Sequence, residues 1–353
     1  MSYVTTARLA KSDRLFSVLA GYQGCLIVTH DNPDPDAIAS GWGLKCLITE
    51  KLGLPTQFVG SGAIVRAENR HMVELLNPPI ELVDRIDLSE GMATILVDCA
   101  PSNNNHLLTR EGFRPVAVID HHLNGMRSIR VPFKDIRPRV VASATITASY
   151  MREQKVEPGP KLATAMLYAI RTETCGCETR HSRLDRTILP WLTARAEPEL
   201  LAEIENAPLP REYFGDLVLA MQSTFLYDDA AFCLLPRAHC AEIVGEIADL
   251  LIRCQGVHRV LCGAIAGDDV LLSVRTSGDA DNAAKLLQTT LEGIGFGGGH
   301  VHRAGGKIAG AGVRPKIDEE LENDLRSRWL AACGIDRQRG TRLVAKREIV
   351  ENL

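Results

Sequence analysis

The amino-acid sequence predicts an α/β protein: an N-terminal doubly wound, mostly parallel sheet, then a smaller C-terminal α/β domain, with a cleft between them. Three observations carry this. Short apolar runs alternate with helix-like segments from Gly24 to Glu173, the pattern of parallel strands joined by crossover helices. A second alternating pattern begins near Ala230. At 353 residues the chain exceeds what one hydrophobic core comfortably serves.

In chain order, "GCLIVTH" is a buried-type strand, and "DAIASGWGLKCLITEKLG" a helix that Gly53 ends. "TQFVG" reads as a short strand, "IVRAENRHMVELL" as a helix, and "ATILVDCA" and "RPVAVIDHH" as two more strands. Helices at "SATITASYMREQ" and "GPKLATAMLYAIRTE" close the first domain, residues 1–195. The charged, proline-bearing "RAEPELLAEIENAPLP" places a linker at 196–215. The second domain, 216–320, holds "AAFCLLP", "CAEIVGEIADLLIRCQG", "HRVLCGAIAG", "DDVLLSVRTSG" and "DADNAAKLLQTTLEGIG". Cys240, Ile243, Val244, Ile247, Leu250 and Leu251 share one helix face, a core stripe rather than a cofactor box. Residues 321–353 read as a charged tail with a peripheral helix and a mobile end.

Composition excludes several classes. With 45% hydrophobic and 24% charged residues the chain is globular rather than disordered. A formal net charge of −4 argues against coating long-duplex nucleic acid, yet leaves room for a local basic pocket. No signal-type apolar core opens the sequence, and no run is long enough to span a bilayer. Ten cysteines without a CxxC pair then read as reduced thiols of a cytoplasmic protein. Neither GxSxG nor a P-loop lysine motif is present, which disfavours serine hydrolases and nucleoside-triphosphate machines.

The chemistry concentrates at strand ends. "HDNPDPD" packs His30, Asp31, Asp34 and Asp36 into seven residues, Asp98 ends the "ILVD" strand, and Asp120-His121-His122 end another. In an open parallel sheet the carboxyl ends of the strands form the ligand crevice, so these groups can converge. His with several carboxylates suits Mn²⁺ or a similar divalent ion, and a metal pair would neutralise the acidic cluster. A lone Asp at a strand end is otherwise a helix cap or turn residue.

These segments also resemble a family. "HDNPDPDA", "LVDCA" and "VIDHH" resemble the first three motifs of the DHH phosphoesterases, and "GFGGGHVHRAGG" resembles the glycine-rich signature of the DHH-associated domain. The likeness runs from about Gly24 to Val313 and is nearest to the bacterial nanoRNase and phosphoadenosine-phosphatase type. It implies two divalent metal ions, Mn²⁺ foremost, with Mg²⁺ or Co²⁺ as alternatives. His30 and Asp34 would hold one, Asp36 and His121 the other, and Asp98 both. His122 would face the substrate phosphate, and Asp120 would orient the histidines. The fourth family motif normally carries Asp in "LYAIxxDT"; here "LYAIRTET" puts Glu173 there, about 1.5 Å longer. Glu173 is then a ligand, directly or through water, or only a helix-end acid.

In the second domain Arg275 and the loop Gly297-Gly298-Gly299-His300 form the substrate side, because glycines admit an anion to backbone N–H groups and Arg offers a planar fork. Turn roles suit His302, Arg303, Asp31 and Asn32 equally well. Cys175, Cys177 and His181 lack a fourth metal partner. The basic "RSIRVPFKDIRPR" is either a solvated loop or the approach for an anion. The expected activity is two-metal hydrolysis of short nucleotides: oligoribonucleotides, linear or cyclic dinucleotides, or adenosine 3′,5′-bisphosphate. A pyrophosphatase or polyphosphatase, or a nucleotide sensor without turnover, are the alternatives. A homodimer is compatible with the sequence.

Overall fold

A computed structural model describes residues 9–122, 130–174, 182–278, 281–299, 301–313, 316–336 and 339–344. The chain divides into two units, Met1–Pro208 and Leu209–Leu353. The first contains, in order, α1 (Lys11–Leu19), β1 (Gly24–Asp31), α2 (Pro35–Leu52), β2 (Thr56–Ser61), α3 (Ala67–Leu76), β3 (Glu81–Leu82) and β4 (Met92–Val97). It continues with α4 (Leu107–Arg110), β5 (Ala117–Asp120), β6 (Phe133–Ile136), α5 (Ser143–Glu153), α6 (Pro160–Thr174), α7 (Arg183–Thr193) and α8 (Pro198–Glu205).

Its six strands lie in the order β3-β2-β1-β4-β5-β6, every pair parallel. A parallel sheet is covered on both faces, so its central strands β1, β4 and β5 are largely apolar and buried. In β1, Cys25 and Ile27 enter the larger core with α2, α5 and α6, while Leu26 and Val28 enter a smaller one with Leu107 and Leu108. Asp34 caps α2 by accepting from the Ala37 N–H, Pro35 opens the helix, and Gly53 at φ 63° ends it. Gly43 lets α2 approach α6 closely: a Cβ there would sit 2.2 Å from Met166 Cε.

Within the basic "RSIRVPFKDIRPR" segment the structure forms an edge strand, β6, rather than an open loop. Its Asp135 is buried, accepting from the Tyr150 hydroxyl at 2.6 Å and from Arg137, with Lys11 Nζ at 3.3 Å. Burial alone would raise this carboxyl; Arg137, Tyr150 and Lys11 outweigh it and hold it below the usual carboxylate range. Its stabilisation is therefore fully present above the unfolded pKa and is lost as pH falls through the lower folded value. Asp135→Ala is expected to lower stability by about 3–5 kcal/mol, because it strands a guanidinium and a buried hydroxyl. An unmoved urea midpoint would show that the network is idle.

The second unit contains α9 (Arg211–Ser223), β7 (Phe225–Tyr227), β8 (Ala230–Leu235), α10 (Ile243–Leu251), β9 (Arg259–Ala266) and β10 (Asp269–Thr276). There follow α11 (Ala283–Thr290), β11 (Phe296–Gly299), β12 (Arg303–Ile308), α12 (Glu319–Ala332) and β13 (Thr341–Arg342). The sheet order is β11-β12-β10-β9-β8-β7-β13, with β8 and β9 parallel and the other pairs antiparallel. One face packs on α9 and α10, the other on α11 and α12. The expected stripe of α10 holds at Ile243, Val244, Ile247 and Leu251, whereas Leu250 is exposed.

Two boundaries differ from expectation. The stretch read as a linker is largely helical: α8 places Leu201 and Ile204 in the first core, and the division of the chain falls after Pro208. The region read as a charged tail contains α12, whose Leu325, Trp329 and Leu330 are buried in the second core beneath a charged outer face. Residues 345–353 lie outside the described residues.

Candidate metal centre

From β1 the chain winds outward to β2 and β3, and from β4 it winds the other way to β5 and β6. Winding reverses between β1 and β4, the switch point at which open α/β sheets form their crevice. His30 stands at the end of β1, and Asp34 and Asp36 open the helix after it. Asp98 follows β4 with φ at 60°, its N–H donating to Ile119 O at 2.9 Å. A non-glycine residue in that region is held there by its surroundings, a conformation that clusters at functional positions. Asp120 ends β5, with His121 and His122 directly after it.

These donors converge on Asp98, which is buried. Its Oδ2 lies 3.7 Å from His30 Nε2, and its Oδ1 lies 3.6 Å from His121 Nε2. His30 Nε2 is also 3.8 Å from Asp34 Oδ1, and His121 Nε2 is 3.6 Å from Asp36 Oδ2. Such separations are too long for hydrogen bonds. They approach the spacing of about 3.0–3.5 Å between donors sharing one ion at ordinary coordination distances. Two overlapping groups result, His30–Asp34–Asp98 and Asp98–His121–His122, each with ligand atoms within 4.8 Å of one another. The donor set fits divalent ions.

Supporting contacts aim the rings. His30 Nδ1 meets Asp31 O at 2.9 Å and His121 Nδ1 meets Val140 O at 3.3 Å, so the carbonyls assign Nδ1–H and turn each Nε2 toward Asp98. Asp120 is fully buried; its Oδ1 accepts from the backbone N–H of His121 and of His122 and lies 2.7 Å from His122 Nδ1. Its Oδ2 is buried without a hydrogen-bond partner among the described residues.

Electrostatics follows the same geometry. Burial works against charge on His30, but the carboxylates of Asp34 and Asp98 outweigh it and hold its pKa well above the usual value. Burial likewise opposes protonated His122, yet Asp120, Asp98 and Glu173 push its pKa up to about 9. On Asp98 the histidines prevail over burial and depress the carboxyl. Asp36 goes the opposite way: burial and the charges of Asp98, Asp34 and Glu173 raise it. Carboxylates crowded this closely are what a bound cation relieves.

Sequence reasoning missed Ser143. At the first turn of α5 the Ser143 and Ala144 N–H groups each donate to Asp36 at 2.7 Å, and Ser143 Oγ donates to Asp98 Oδ1 at 2.8 Å. A Ser at a helix start was the available signal; its partners are remote in sequence. Arg110 was also missed: it pairs with Asp31, whose other oxygen accepts from Ser61 Oγ. Asn32 is a turn residue at φ 54°, its Oδ1 accepting from Ala63 N–H.

Glu173, half-buried in the last turn of α6, acts electrostatically on both Asp36 and His122 but stands outside the two close donor groups. If it ligates, Glu173→Gln is expected to reduce turnover about tenfold or more, with Glu173→Asp retaining a substantial part. Steady-state kinetics of both variants checks this, and a silent Glu173→Gln ends the ligand role. Cys175, Cys177, His181 and His300 lie outside the described residues.

The second unit corrects one expectation. Gly297, Gly298 and Gly299 belong to a strand rather than a phosphate-cradling loop, paired with Gly306, Gly305 and Ala304 of β12. A Cβ on Gly297 would sit 2.8 Å from Leu287 Cδ2, so α11 requires glycine there. Arg275 Nε donates to Asp249 Oδ1 at 2.6 Å and its NH1 to Ser273 Oγ at 2.7 Å, with 12% of the side chain exposed. Arg303 NH2 lies 3.6 Å from the same Asp249 Oδ1. His302 offers its carbonyl to the Thr276 N–H.

A parallel sheet with an Asp/His donor cluster at its switch point defines an α/β domain of the metal-binding kind. Residues 25–170 match the DHH family, N-terminal domain. It is 30% identical over 316 residues to the uncharacterized protein MJ1633 of Methanocaldococcus jannaschii, covering 88% of this chain and 64% of that protein. The chain thus spans less than two thirds of that relative's length. Among solved structures, an exopolyphosphatase-related protein from Bacteroides fragilis shares the fold with a TM-score of 0.70 at 15% identity, covering 94% of this chain and 99% of that one. No helix among the described residues is long and apolar enough to cross a membrane.

Proposed function

We propose that the protein is a divalent-metal-dependent hydrolase of phosphoester bonds, acting on short nucleotides and using Mn²⁺ foremost. One observation carries this reading: the two oxygens of Asp98 face different histidines, His30 and His121, so one carboxylate serves two neighbouring donor groups. His30 and Asp34 would hold one ion, Asp36 and His121 the other, with Asp98 common and Glu173 in electrostatic reach. A metal pair held there would supply a hydroxide nucleophile at neutral pH and would draw charge from the phosphoryl oxygens.

The chain's own residues do the rest. His122, held at Nδ1 by Asp120, presents a protonated ring to a phosphoryl oxygen and stabilises its added charge. Asp36, fixed by the first N–H groups of α5, keeps its oxygens in place. In the second unit Arg275, Gly297, Gly298, Gly299 and His300 would contact substrate, Arg275 by exchanging Asp249 for a phosphate.

A pyrophosphatase or polyphosphatase remains the second reading, favoured by the commitment of Arg275 to Asp249. Metal-reconstituted protein incubated with pGpG, pApA, cyclic dinucleotides, adenosine 3′,5′-bisphosphate and pyrophosphate separates the readings. Release of 5′-mononucleotides supports the first, orthophosphate from pyrophosphate alone the second. Tight binding without product points to a sensor.

A further inference from the structure

The end of β1 that bears His30 contains one residue more than the strand beside it. Against β2 the register runs Val28 opposite Val59 and then Asp31 opposite Ser61, so β1 spends three residues where β2 spends two. A bulge of this kind re-aims the side chains within it and interrupts the ladder that would otherwise hold them. The direction of His30 is therefore set by whatever fixes the backbone just beyond the bulge.

Three pieces of chain are joined at that point. The Asp31 N–H donates to Asn105 O at 2.7 Å, the Asn32 N–H donates to Ser61 O at 2.8 Å, and His30 forms an isolated bridge with His106. Arg110 of α4 closes the arrangement. Its NH1 donates to Asp31 Oδ2 at 2.5 Å and its NH2 to Ser61 Oγ at 2.8 Å, while Ser61 Oγ donates to Asp31 Oδ1. One guanidinium thus ties a carboxylate on β1 to a hydroxyl on β2, two contacts that its rigid planar fork makes together and a flexible ammonium does not. The residue so held is the one whose backbone carbonyl meets His30 Nδ1 at 2.9 Å.

We propose that Arg110 is a positioning residue for the metal centre: by clamping Asp31 to Ser61 it fixes the Asp31 carbonyl that turns His30 Nε2 toward Asp98. The proposal rests on the reading of His30 as a metal ligand, and it adds a residue that touches neither ion nor substrate. Charge alone predicts the opposite sign for its removal. Without Arg110 a positive charge near the donor group is gone and the Asp31 carboxylate is uncovered, which would draw a divalent cation in more tightly. Without the clamp the bulge is free to turn, and the ion is held less tightly, as when a partner that orients a ligating imidazole is lost.

The test uses full-length wild type, Arg110→Ala and Arg110→Lys, each stripped by chelator and labelled with ¹⁵N-histidine. In the metal-free wild type the hydrogen-bonded His30 Nδ1–H should give a protected NMR resonance, identified by its absence from His30→Gln. Arg110→Ala is expected to abolish that resonance and to weaken Mn²⁺ at one site about ten- to hundredfold by calorimetry, with Arg110→Lys recovering part of both. A His30 resonance that survives Arg110→Ala overturns the clamp; if KM for pGpG then rises with Mn²⁺ binding unmoved, Arg110 is a substrate contact instead. A lost resonance with unmoved Mn²⁺ binding upholds the clamp and overturns His30 as a ligand.

Discussion

In Mn²⁺, Asp98→Asn is expected to lose more than about a hundredfold in phosphoryl hydrolysis while keeping the wild-type circular dichroism spectrum. Each Asp98 oxygen faces a different imidazole nitrogen, and Oδ1 also receives the Ser143 hydroxyl. An amide at this position removes the negative charge common to both donor groups. It also replaces one acceptor with an N–H₂ that points hydrogens where an ion's positive charge belongs. Calorimetry should show weakened Mn²⁺ binding at both sites rather than one. Wild-type turnover by this variant, or by chelator-stripped wild type, would rule out the shared carboxylate.

His122→Ala is expected to lower kcat/KM by about 10²–10⁴, the usual range for a side chain that moves or holds a proton in the transition state. The ring is partly exposed and held at Nδ1 by Asp120, with Asp98, Asp120 and Glu173 favouring its protonated form. If it faces the phosphate, the number of Mn²⁺ ions bound and their affinity should stay at wild-type values. If Mn²⁺ affinity falls in step with activity, His122 is a ligand, a role its 3.9 Å approach to Asp98 also permits. Calorimetry and kinetics on one preparation decide between the two.

Much of the first unit was legible because burial on both faces writes the central parallel strands as apolar runs, and β1, β4 and β5 each end at residues of the donor cluster. His30, Asp98 and the Asp120–His122 triplet could be read straight from those ends. The local order Asp34-Pro35-Asp36 announced both a helix start and a donor pair. What pattern could not convey was which polar groups meet across the fold. The grip of Ser143 on Asp36 and Asp98, and that of Asp249 on Arg275, join residues on different elements. Charge also misled: α8 and α12 carry enough acidic and basic residues to read as linker and tail, while a few apolar positions anchor each to a core. The glycines of β11 looked like a loop because composition cannot distinguish a bend from close packing beneath a helix.

The tie between Asp36 and the start of α5 bears on how little of the chain can present this centre. A fragment stopping just short of Ser143 would contain every motif residue from His30 to His122. It would nevertheless leave Asp36 without its two backbone donors, Asp98 without the Ser143 hydroxyl, and the Val140 carbonyl that meets His121 at the fragment's cut end. Mutual repulsion among the carboxylates would then be free to spread them apart. The minimal self-sufficient segment is thus longer than the one that bears the motifs, and any transplant of this centre to another scaffold must carry α5 with it.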